Sequence, residues 1–573
     1  MLERLKKRWA ETIGERWGVD AEAVRSHFER PPRPELGEAA LPCFRFARSL
    51  GRKAPELARE AADALKGAEC VAAAEVAGAY LNVRVDGAAF AREVIPRILA
   101  EGGRYGGGPD AGKTVVIDFS SPNIAKPFGI GHLRSTVIGN ALSNVYRFLG
   151  WRVVGVNYLG DWGAQVAKMM VAYDRWFDPA EYERRPIRYL YDLYVRFHQE
   201  EESNPELGEE AAERLRSLEA GEEETLDLWR RFVELSKAEF QHIYDALGVR
   251  FDVIAGESMC DEHGRPRGVQ RMEETLRLLE ERGVLAESEG AQVVFFDEAD
   301  NLPPLVMRKS DGTTLYATRE VTVALDRWRK WRFDRMLYVV GMPQKNHFAQ
   351  VFRLFEMADL PFAGRCRHVE FGHYVGMSTR RGTMVLLEEI LEELVRRAEE
   401  VVRTKNPELA AGGRAARVAR AVAAGELVFN DLKNARVKDV EYDQERVLSF
   451  DGDTGPYLQY AHTRACGILR KWGREAPREF DASLLDSKEE RRLVLLADGF
   501  PRAVRDAAED CEPSYLAQHL LETASALNLF YQRRRVLGED EKVTAARVAL
   551  VAAVRHILAN GLRLLGVEPL ERM

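Results

Sequence analysis

The sequence predicts an α/β protein, with a Rossmann-like, doubly wound parallel sheet at its centre and an all-helical domain after it. The first observation is a strand-like run at 114–119 that is followed by an amphipathic helical pattern and a second strand-like run at 152–158. The second is that strand and helix patterns go on alternating to about residue 445, which is typical of a parallel sheet covered by helices on both faces. The third is that residues from about 446 onward are almost entirely helical in pattern and rich in Leu, Ala and Arg.

The loop between the first strand and its helix is the clearest candidate site. It contains Gly129-Ile130-Gly131-His132 and lies at the carboxyl end of a strand, where ligands bind in open α/β sheets. Free N–H groups at the start of the helix favour an anion such as phosphate. The loop lacks the lysine of a phosphate loop, and Arg134 stands where a dinucleotide fold has its third glycine. These residues alone therefore leave open a nucleotide site or an ordinary glycine-containing turn.

Composition limits the class of protein. With 573 residues, 46% hydrophobic and 30% charged, the chain is typical of a soluble globular protein of three or four domains. No apolar run of about 18 residues or more predicts a membrane span, and the first residues do not resemble a secretory signal. The six cysteines are far apart, which favours reduced thiols in the cytoplasm and argues against a zinc ribbon. A net charge of −8 means that any nucleic-acid surface must be a local basic patch.

We predict three domains. Residues 1–110 form a small α+β domain, with a strand pair at 71–77 and 80–85 and a flexible glycine-rich linker at 102–109. Residues 111–445 form the α/β domain, which includes a charged helical insertion at about 165–247. Residues 446–573 form the helical domain.

Five segments, in this order, give the chain a resemblance to class I arginyl-tRNA synthetases. They are Ser121-Pro122-Asn123, Gly131-His132-Leu133-Arg134-Ser135, Asn157-Tyr158-Leu159-Gly160-Asp161-Trp162-Gly163, the run 309–320 and the run 340–348. The closing Ala559-Asn560-Gly561 and Glu571-Arg572-Met573 also look like the end of that family's chain. The resemblance implies ATP-dependent attachment of L-arginine to its tRNA through an arginyl-adenylate. It also implies that the first domain contacts the tRNA elbow and that the last binds the anticodon.

The resemblance implies a role for each matching residue. The catalytic candidates are His132, Lys126, Arg380 and Arg381. The ATP-binding candidates are Gly129, Ile130, Gly131, His132, Met377 and Ser378. The arginine-binding candidates are Ser121, Asn123, His132, Tyr316, Glu320 and Gln344. The tRNA-binding candidates are Tyr457, Tyr460, Arg464 and Met573.

The chemistry is consistent with these residue types. Transfer of an adenylyl group needs positioning and positive charge around phosphorus rather than a protein nucleophile. A guanidinium needs a carboxylate, because a bidentate pair separates arginine from lysine. Glu320, four residues after Tyr316 on one helix, is that carboxylate; a surface acid paired with Arg319 is the alternative. Exposed tyrosines among arginines can stack on unpaired bases, although buried tyrosines and solvated arginines are the simpler reading.

The sequence departs from the family pattern at two places that are expected to contact the phosphates of ATP. Gly129 stands where the family usually has histidine, and the segment 376–383, the counterpart of Lys-Met-Ser-Lys-Ser, has lost both lysines. We expect Lys126 with Arg380 or Arg381 to supply the missing charge.

Two other functions remain open from the sequence. Loss of the lysines would suit a tRNA-binding paralogue without catalysis, although such a protein has no use for a carboxylate at position 320. A nucleotide-dependent ligase for another substrate, such as the cysteinyl enzymes, would require zinc ligands that these cysteines do not provide.

We expect a monomeric cytoplasmic enzyme without a membrane segment or a metal site of its own, using ATP with Mg²⁺ as its counter-ion. The resemblance implies that tRNA is needed even for the first step.

Overall fold

The structure, a computed structural model, describes residues 1–261, 264–375, 386–405, 414–441 and 452–573. The strands of the described residues are β1 Ala39–Pro42, β2 Val71–Ala77, β3 Tyr80–Val85, β4 Thr114–Asp118, β5 Arg152–Leu159, β6 Val253–Gly256, β7 Ala286–Ser288, β8 Ala291–Val294, β9 Leu305–Arg308, β10 Arg335–Tyr338, β11 Cys366–His368, β12 Tyr374–Val375 and β13 Val440–Glu441. The helices are α1 Leu2–Trp17, α2 Ala21–Ser26, α3 Phe44–Ala47, α4 Ala54–Ala64, α5 Gly87–Glu101, α6 Ile130–Phe148, α7 Ala164–Trp176, α8 Pro179–Arg184, α9 Pro186–Glu201, α10 Glu206–Ala220, α11 Glu223–Leu247, α12 Gly268–Glu281, α13 Tyr316–Trp331, α14 Lys345–Met357, α15 Leu387–Lys405, α16 Ala415–Leu432, α17 Gly455–Trp472, α18 Lys488–Glu509, α19 Ser514–Arg533 and α20 Glu541–Leu564.

A five-stranded parallel sheet forms the middle of the molecule. Its strands lie in the order β11-β10-β4-β5-β6, and Asp118 at the end of β4 is paired with Tyr338 of β10 and Val156 of β5. From β4 the chain continues outward through β5 to β6, whereas from β10 it continues in the opposite direction to β11. Such a reversal opens a crevice at the carboxyl ends of the two middle strands, where ligands bind in this class of sheet.

Both faces of the sheet are covered, which confirms the doubly wound α/β prediction. Val115 and Ile117 of β4 point into the core that contains α6 and α11. Val116, between them, points into a second core that contains α13 and α14. This alternation follows from the two-residue period of a strand.

One predicted strand is in a different sheet. The run at 292–296 contributes β8, which pairs antiparallel with β7 and β9 rather than joining the parallel sheet. Glu289 and Gly290 turn the chain from β7 into β8 with φ angles of 51° and 77°, as a tight hairpin requires. Phe295, just past β8, is 50% exposed.

The regions before and after the α/β domain have the fold classes that the sequence predicts, α+β for the first and all-helical for the last. The first contains an antiparallel sheet of order β1-β3-β2, in which β2 and β3 match the strand pair predicted at 71–77 and 80–85. The last contains α17 to α20. By length and composition α20 could cross a membrane, but 72% of its most apolar stretch is buried against its neighbours, as expected for the central helix of a helical domain.

The segment 102–109 is packed rather than flexible, so that part of the prediction is wrong. Tyr105 is 2% exposed, and the side-chain amide of Asn560 on α20 donates to the Gly102 carbonyl oxygen at 3.0 Å. A Cβ at Gly106 would lie 2.8 Å from Phe500 of α18, and one at Gly108 would lie 2.5 Å from the Leu149 carbonyl oxygen. Glycine is therefore needed here for close packing, not for freedom of movement.

The helical domain is bound to the α/β domain at the end of α18. Four consecutive carbonyl groups there accept hydrogen bonds from three side chains of the α/β domain. The bonds run from Tyr146 Oη to Ala508 O (2.9 Å), Arg367 Nη1 to Glu509 O (2.7 Å), Arg367 Nη2 to Asp510 O (2.9 Å) and Arg436 Nε to Cys511 O (3.1 Å). The last carbonyls of a helix have no partner within it, and cations are favourable at this end of the dipole. We call this contact the α18 clasp.

Candidate active site

The loop after β4 holds unusual backbone conformations. Ser120, Ser121 and Ala125 have φ angles of 73°, 48° and 56°. Non-glycine residues seldom adopt this region, and such strain tends to occur at functional sites. Ser135 of α6 fixes the loop, since its Oγ accepts from the Ser120 N–H at 2.9 Å and donates to the Val339 carbonyl oxygen at 2.7 Å.

His132 lies in the first turn of α6 with a defined tautomer. The backbone N–H of Gly129 donates to His132 Nδ1 at 3.2 Å, so the neutral ring carries its proton on Nε2. Burial, together with the nearby Lys126 ammonium, lowers the pKa of His132 to about 4. The ring is therefore a neutral N–H donor at physiological pH. The side chain of Ile130 is 1% exposed and belongs to the core, which leaves only its backbone for a ligand.

Lys126 lines a cavity of about 210 Å³ over the carboxyl ends of β4 and β5. Its Nζ donates to Gln165 Oε1 at 2.9 Å and lies 4.0 Å from the centre of the Tyr194 ring. Asn123, Trp162 and Glu257 are also in the cavity wall. The cation and the predicted amino-acid contact thus share one cavity.

The other candidates for the α-amino and carboxylate groups lie around the same crevice. Ser121 Oγ donates to Asp118 Oδ1 at 3.0 Å, and Asn123 is exposed beside Gly160. A Cβ at Gly160 would lie 1.9 Å from Asn123 Oδ1, so a larger residue there would displace this side chain. Gln344 is exposed at the start of α14, after β10.

Helix α13 presents Tyr316 and Glu320 one turn apart. Tyr316, its first residue, is 41% exposed, and its ring centre lies 4.9 Å from that of His347. Glu320 is 7% exposed and is hydrogen-bonded to Tyr316. Helical spacing therefore brings the two predicted guanidinium contacts together.

The carboxylates around Glu320 already have partners. Arg327 Nη2 donates to Asp118 Oδ2 at 2.5 Å, and Arg319 Nη1 donates to Glu257 Oε2 at 2.8 Å. Asp161 accepts from the backbone N–H of Ser258 at 2.8 Å and from its hydroxyl at 2.7 Å, which joins the ends of β5 and β6. Asp118 and Asp161 thus support the site from within the fold.

Glu320 is the carboxylate left for a cation. Among the residues that the structure describes, no Lys, Arg or His nitrogen lies within 4.0 Å of its oxygens. Burial, together with the nearby Asp118 carboxylate, raises the pKa of Glu320 to about 7. A bound guanidinium would relieve both effects.

The segment 376–383, where the sequence predicts further ATP contacts, lies outside the described residues, and with it Met377, Ser378, Arg380 and Arg381. The strand before it is firmly held. Arg134 of α6, 1% exposed, donates to the carbonyl oxygens of Gly372 and Lys438 at 2.7 Å each and pairs with Asp431 at 3.1 Å. Tyr374 of β12 donates to the same carboxylate at 2.9 Å.

The candidates on the helical domain form a partly exposed cluster. The Arg464 guanidinium lies 4.8 Å from the ring centres of both Tyr460 and Tyr531, which are 49% and 46% exposed. Tyr457 is half-buried, and its hydroxyl accepts from the Asn528 amide at 3.0 Å. Met573 is elsewhere, packed against the small core that includes Leu570. Basic and aromatic groups therefore share one surface, as single-stranded RNA binding requires.

Sequence reasoning missed Glu257, Arg319 as its partner, and Arg327. Glu257 follows β6, which is only four residues long, so no clear strand pattern drew attention to it. Arg327 lies two turns beyond Glu320 on α13 and could have been found from helical spacing alone.

The comparisons with known proteins cover the whole chain. A family model described as "tRNA synthetases class I (R), catalytic domain" matches residues 94–444. Models for the "Arginyl tRNA synthetase N terminal domain" and the "DALR anticodon binding domain" match residues 3–85 and 458–573.

Relatives and solved structures agree with these matches. The arginine–tRNA ligase of Clostridium beijerinckii is 41% identical over 574 residues, covering 99% of this chain and all of that protein. The enzyme of Clostridium perfringens is 41% identical over 578 residues, with the same coverage. The Thermus thermophilus arginyl-tRNA synthetase structure superimposes with a TM-score of 0.81 at 28% identity over the full length of both chains. The Plasmodium falciparum arginyl-tRNA synthetase, at 20% identity, shares the fold with a TM-score of 0.80, over all of this chain and 98% of that one. The chain therefore belongs to the arginyl-tRNA synthetase family, the arginine–tRNA ligases of class I.

Proposed function

We propose that the crevice between β4 and β10 is where this chain activates L-arginine as its adenylate and transfers it to tRNA. Aminoacylation of tRNA with arginine is the activity of the family. Glu320 carries the proposal, because it is a buried carboxylate without a cationic partner among the described residues, beside the loop after β4.

Arginine binding divides between the two ends of the substrate. We assign the guanidinium to Glu320 and Tyr316. The α-amino and carboxylate groups go to Ser121, Asn123 and Gln344, in keeping with the resemblance.

ATP binding uses the start of α6. The His132 Nε2–H donates to phosphate oxygens, and the backbone at Gly129 and Gly131 allows close approach of the nucleotide. Nothing lies within 4 Å of a Cβ built at Gly131, so the fold itself does not require glycine there. We assign Met377 and Ser378 to ATP, and Mg²⁺ enters as its counter-ion.

The arginine carboxylate then attacks the α-phosphate, and pyrophosphate leaves. Lys126, with Arg380 or Arg381, offsets the charge that develops, which is electrostatic catalysis by positioned cations. The adenylate carbonyl is next attacked by a ribose hydroxyl at the 3′ end of the tRNA, and AMP departs.

The remaining assignments concern the whole molecule. Tyr457, Tyr460, Arg464 and Met573 are proposed tRNA contacts, and the domains are proposed as 1–110, 111–445 and 446–573. Six free cysteines are compatible with a cytoplasmic enzyme. We propose that it acts as a monomer, without a membrane, and that tRNA is needed for the first step.

The test is the Michaelis constant for arginine in ATP–pyrophosphate exchange with tRNA present. Glu320→Gln keeps the size of the side chain and removes the charge. We therefore expect the Michaelis constant for arginine to rise about 30-fold or more, while the Michaelis constant for ATP changes little. Glu281→Gln, at the exposed end of α12, serves as the matched control and should behave like the wild type. An unaltered arginine dependence in Glu320→Gln would rule out the guanidinium assignment.

A further inference from the structure

Tyr158 occupies the carboxyl end of β5, directly behind the loop that holds Ser121. Its backbone N–H donates to Ser121 Oγ at 3.4 Å. Its side chain packs with the core on the α13 side of the sheet, the face that also bears Glu320. The Arg327 guanidinium lies 5.4 Å from the centre of its ring.

The hydroxyl of Tyr158 is enclosed but has no hydrogen-bond partner within the described part of the chain. The charged groups around it include Glu257, Glu320, Asp161 and Arg327, and the first three raise its pKa beyond the effect of burial. An unpaired buried hydroxyl is unfavourable unless something else satisfies it. Tyr158 therefore offers a buried, unpaired hydroxyl on the side of the sheet that carries Glu320.

A second enclosed hydroxyl, that of Tyr338, is the natural comparison. It too has no partner among the described residues, and its ring also contacts Arg327, at 5.8 Å. Tyr338 is only 2% exposed, and its ring lies against Phe348 and Phe352, with centroid distances of 5.0 and 5.8 Å. Burial raises the pKa of its hydroxyl, with further contributions from nearby groups that include Glu320 and Asp118, but its ring packs among these phenylalanines of α14.

The chemistry of a guanidinium explains what a hydroxyl can add. A guanidinium has five N–H donors in a fixed plane and no acceptor, so the Glu320 carboxylate alone leaves some of these donors unpaired. A hydroxyl oxygen accepts one of these without adding a further charge. We propose that Tyr158 is a specificity-determining residue whose hydroxyl accepts a hydrogen bond from the guanidinium of bound L-arginine. The inference rests on the proposed function, since it places the guanidinium at Glu320.

A bidentate carboxylate already favours arginine over lysine, and a neutral acceptor can sharpen that discrimination. The ammonium of lysine has three donors on one atom, and the Glu320 carboxylate can accept some of them. An acceptor in the guanidinium plane favours arginine only, because sites built for a polar contact are left unpaired by an analogue that lacks it.

The experiment compares Tyr158→Phe, Tyr338→Phe and Glu320→Gln. The full-length enzyme is assayed by ATP–pyrophosphate exchange with tRNA, and arginine binding is measured by equilibrium dialysis of radiolabelled arginine. We expect Tyr158→Phe to weaken arginine binding and raise its Michaelis constant about 10- to 100-fold, the range for a hydrogen bond to a charged group. The Michaelis constant for ATP and the midpoint temperature of thermal unfolding should stay unchanged, because the substitution removes a hydroxyl that is unpaired in the free enzyme. Tyr338→Phe should leave arginine binding within twofold.

The outcomes separate the inference from the proposed function. Normal arginine binding in Tyr158→Phe, together with weak binding in Glu320→Gln, overturns the inference and leaves the guanidinium site in place. An equal loss in Tyr338→Phe also overturns it, because the effect would then come from the surroundings of Arg327. Normal binding in all three variants refutes the proposed function along with the inference.

Discussion

In the proposed site, Glu320 is a buried side chain that recognises the substrate at a cost to the free protein. It has no cation within ion-pairing distance among the described residues, and burial raises its pKa to about 7. A positively charged substrate stabilises the ionised form by a direct pair. Binding of arginine is thus coupled to loss of a proton.

This coupling predicts a pH dependence. The guanidinium is charged throughout, so only the ionised fraction of Glu320 is competent to bind. That fraction falls as pH drops through about 7, and the Michaelis constant for arginine should rise nearly tenfold per pH unit below about pH 6. Above pH 8 it should be constant.

The measurement is ATP–pyrophosphate exchange at varied arginine between pH 5.5 and 8.5. Glu320→Gln has no proton to lose, so its constant should be high but independent of pH. A flat profile in the wild type would show that Glu320 does not titrate in this range or does not meet the substrate.

Residue-scale features were predictable where they depended on local spacing. Tyr316 and Glu320 share a helix face because they are four residues apart, and the structure places them together. Glu257 was not predictable, because its position depends on pairing of β6 with β5, a contact between distant parts of the chain.

At the scale of elements, α6 separates glycines needed for function from those needed for packing. A Cβ at Gly131 meets nothing within 4 Å, whereas one at Gly139 would lie 2.1 Å from the Phe119 side chain. The first glycine faces the crevice end of the helix, and the second faces β4.

The prediction contrasts Gly131→Ala with Gly139→Ala. Gly131→Ala should keep or slightly raise the free energy of unfolding, since alanine is the better helix former, yet raise the Michaelis constant for ATP about tenfold or more. Gly139→Ala should lower the free energy of unfolding by about 1–3 kcal/mol through overpacking. Denaturant unfolding measures the free energy of unfolding of each variant, and ATP–pyrophosphate exchange measures its Michaelis constant for ATP. Unchanged ATP kinetics in Gly131→Ala would remove that glycine from the nucleotide site.

Element prediction succeeded for regular patterns and failed where packing overrode composition. The strand pair β2–β3 and the core aromatic residues of α14 follow directly from periodicity. The glycines at 102–109 suggested a flexible linker, but they are packed against α18 and the turn after α6. Composition cannot distinguish a glycine that is free from one that is crowded, because the difference lies in the neighbours.

At the scale of the whole molecule, the three predicted domains share one continuous core. The core cluster that contains Trp9 of α1 also contains Val115 of β4 and Val554 of α20. The α18 clasp adds a polar contact to this core. Arg436 contributes twice, since it donates to the Cys511 carbonyl oxygen and its backbone N–H donates to the Glu512 carboxylate.

The clasp predicts how strongly the helical domain is held. Arg436→Met keeps the aliphatic part of the side chain but removes its hydrogen bonds, so we expect the free energy of unfolding to fall by about 2–3 kcal/mol. Arg417→Met, at an exposed surface pair with Glu568, should change it by less than about 1 kcal/mol. Denaturant unfolding measures both variants. Equal stability of the two variants would show that the clasp adds nothing beyond the shared apolar core.

The central claim is that Glu320 holds the guanidinium of the substrate. A crystal structure of the enzyme with L-arginine bound tests it most directly. The account predicts a guanidinium nitrogen about 2.7–2.9 Å from a Glu320 carboxylate oxygen. A guanidinium bound elsewhere, with Glu320 still without a cationic partner, would contradict it.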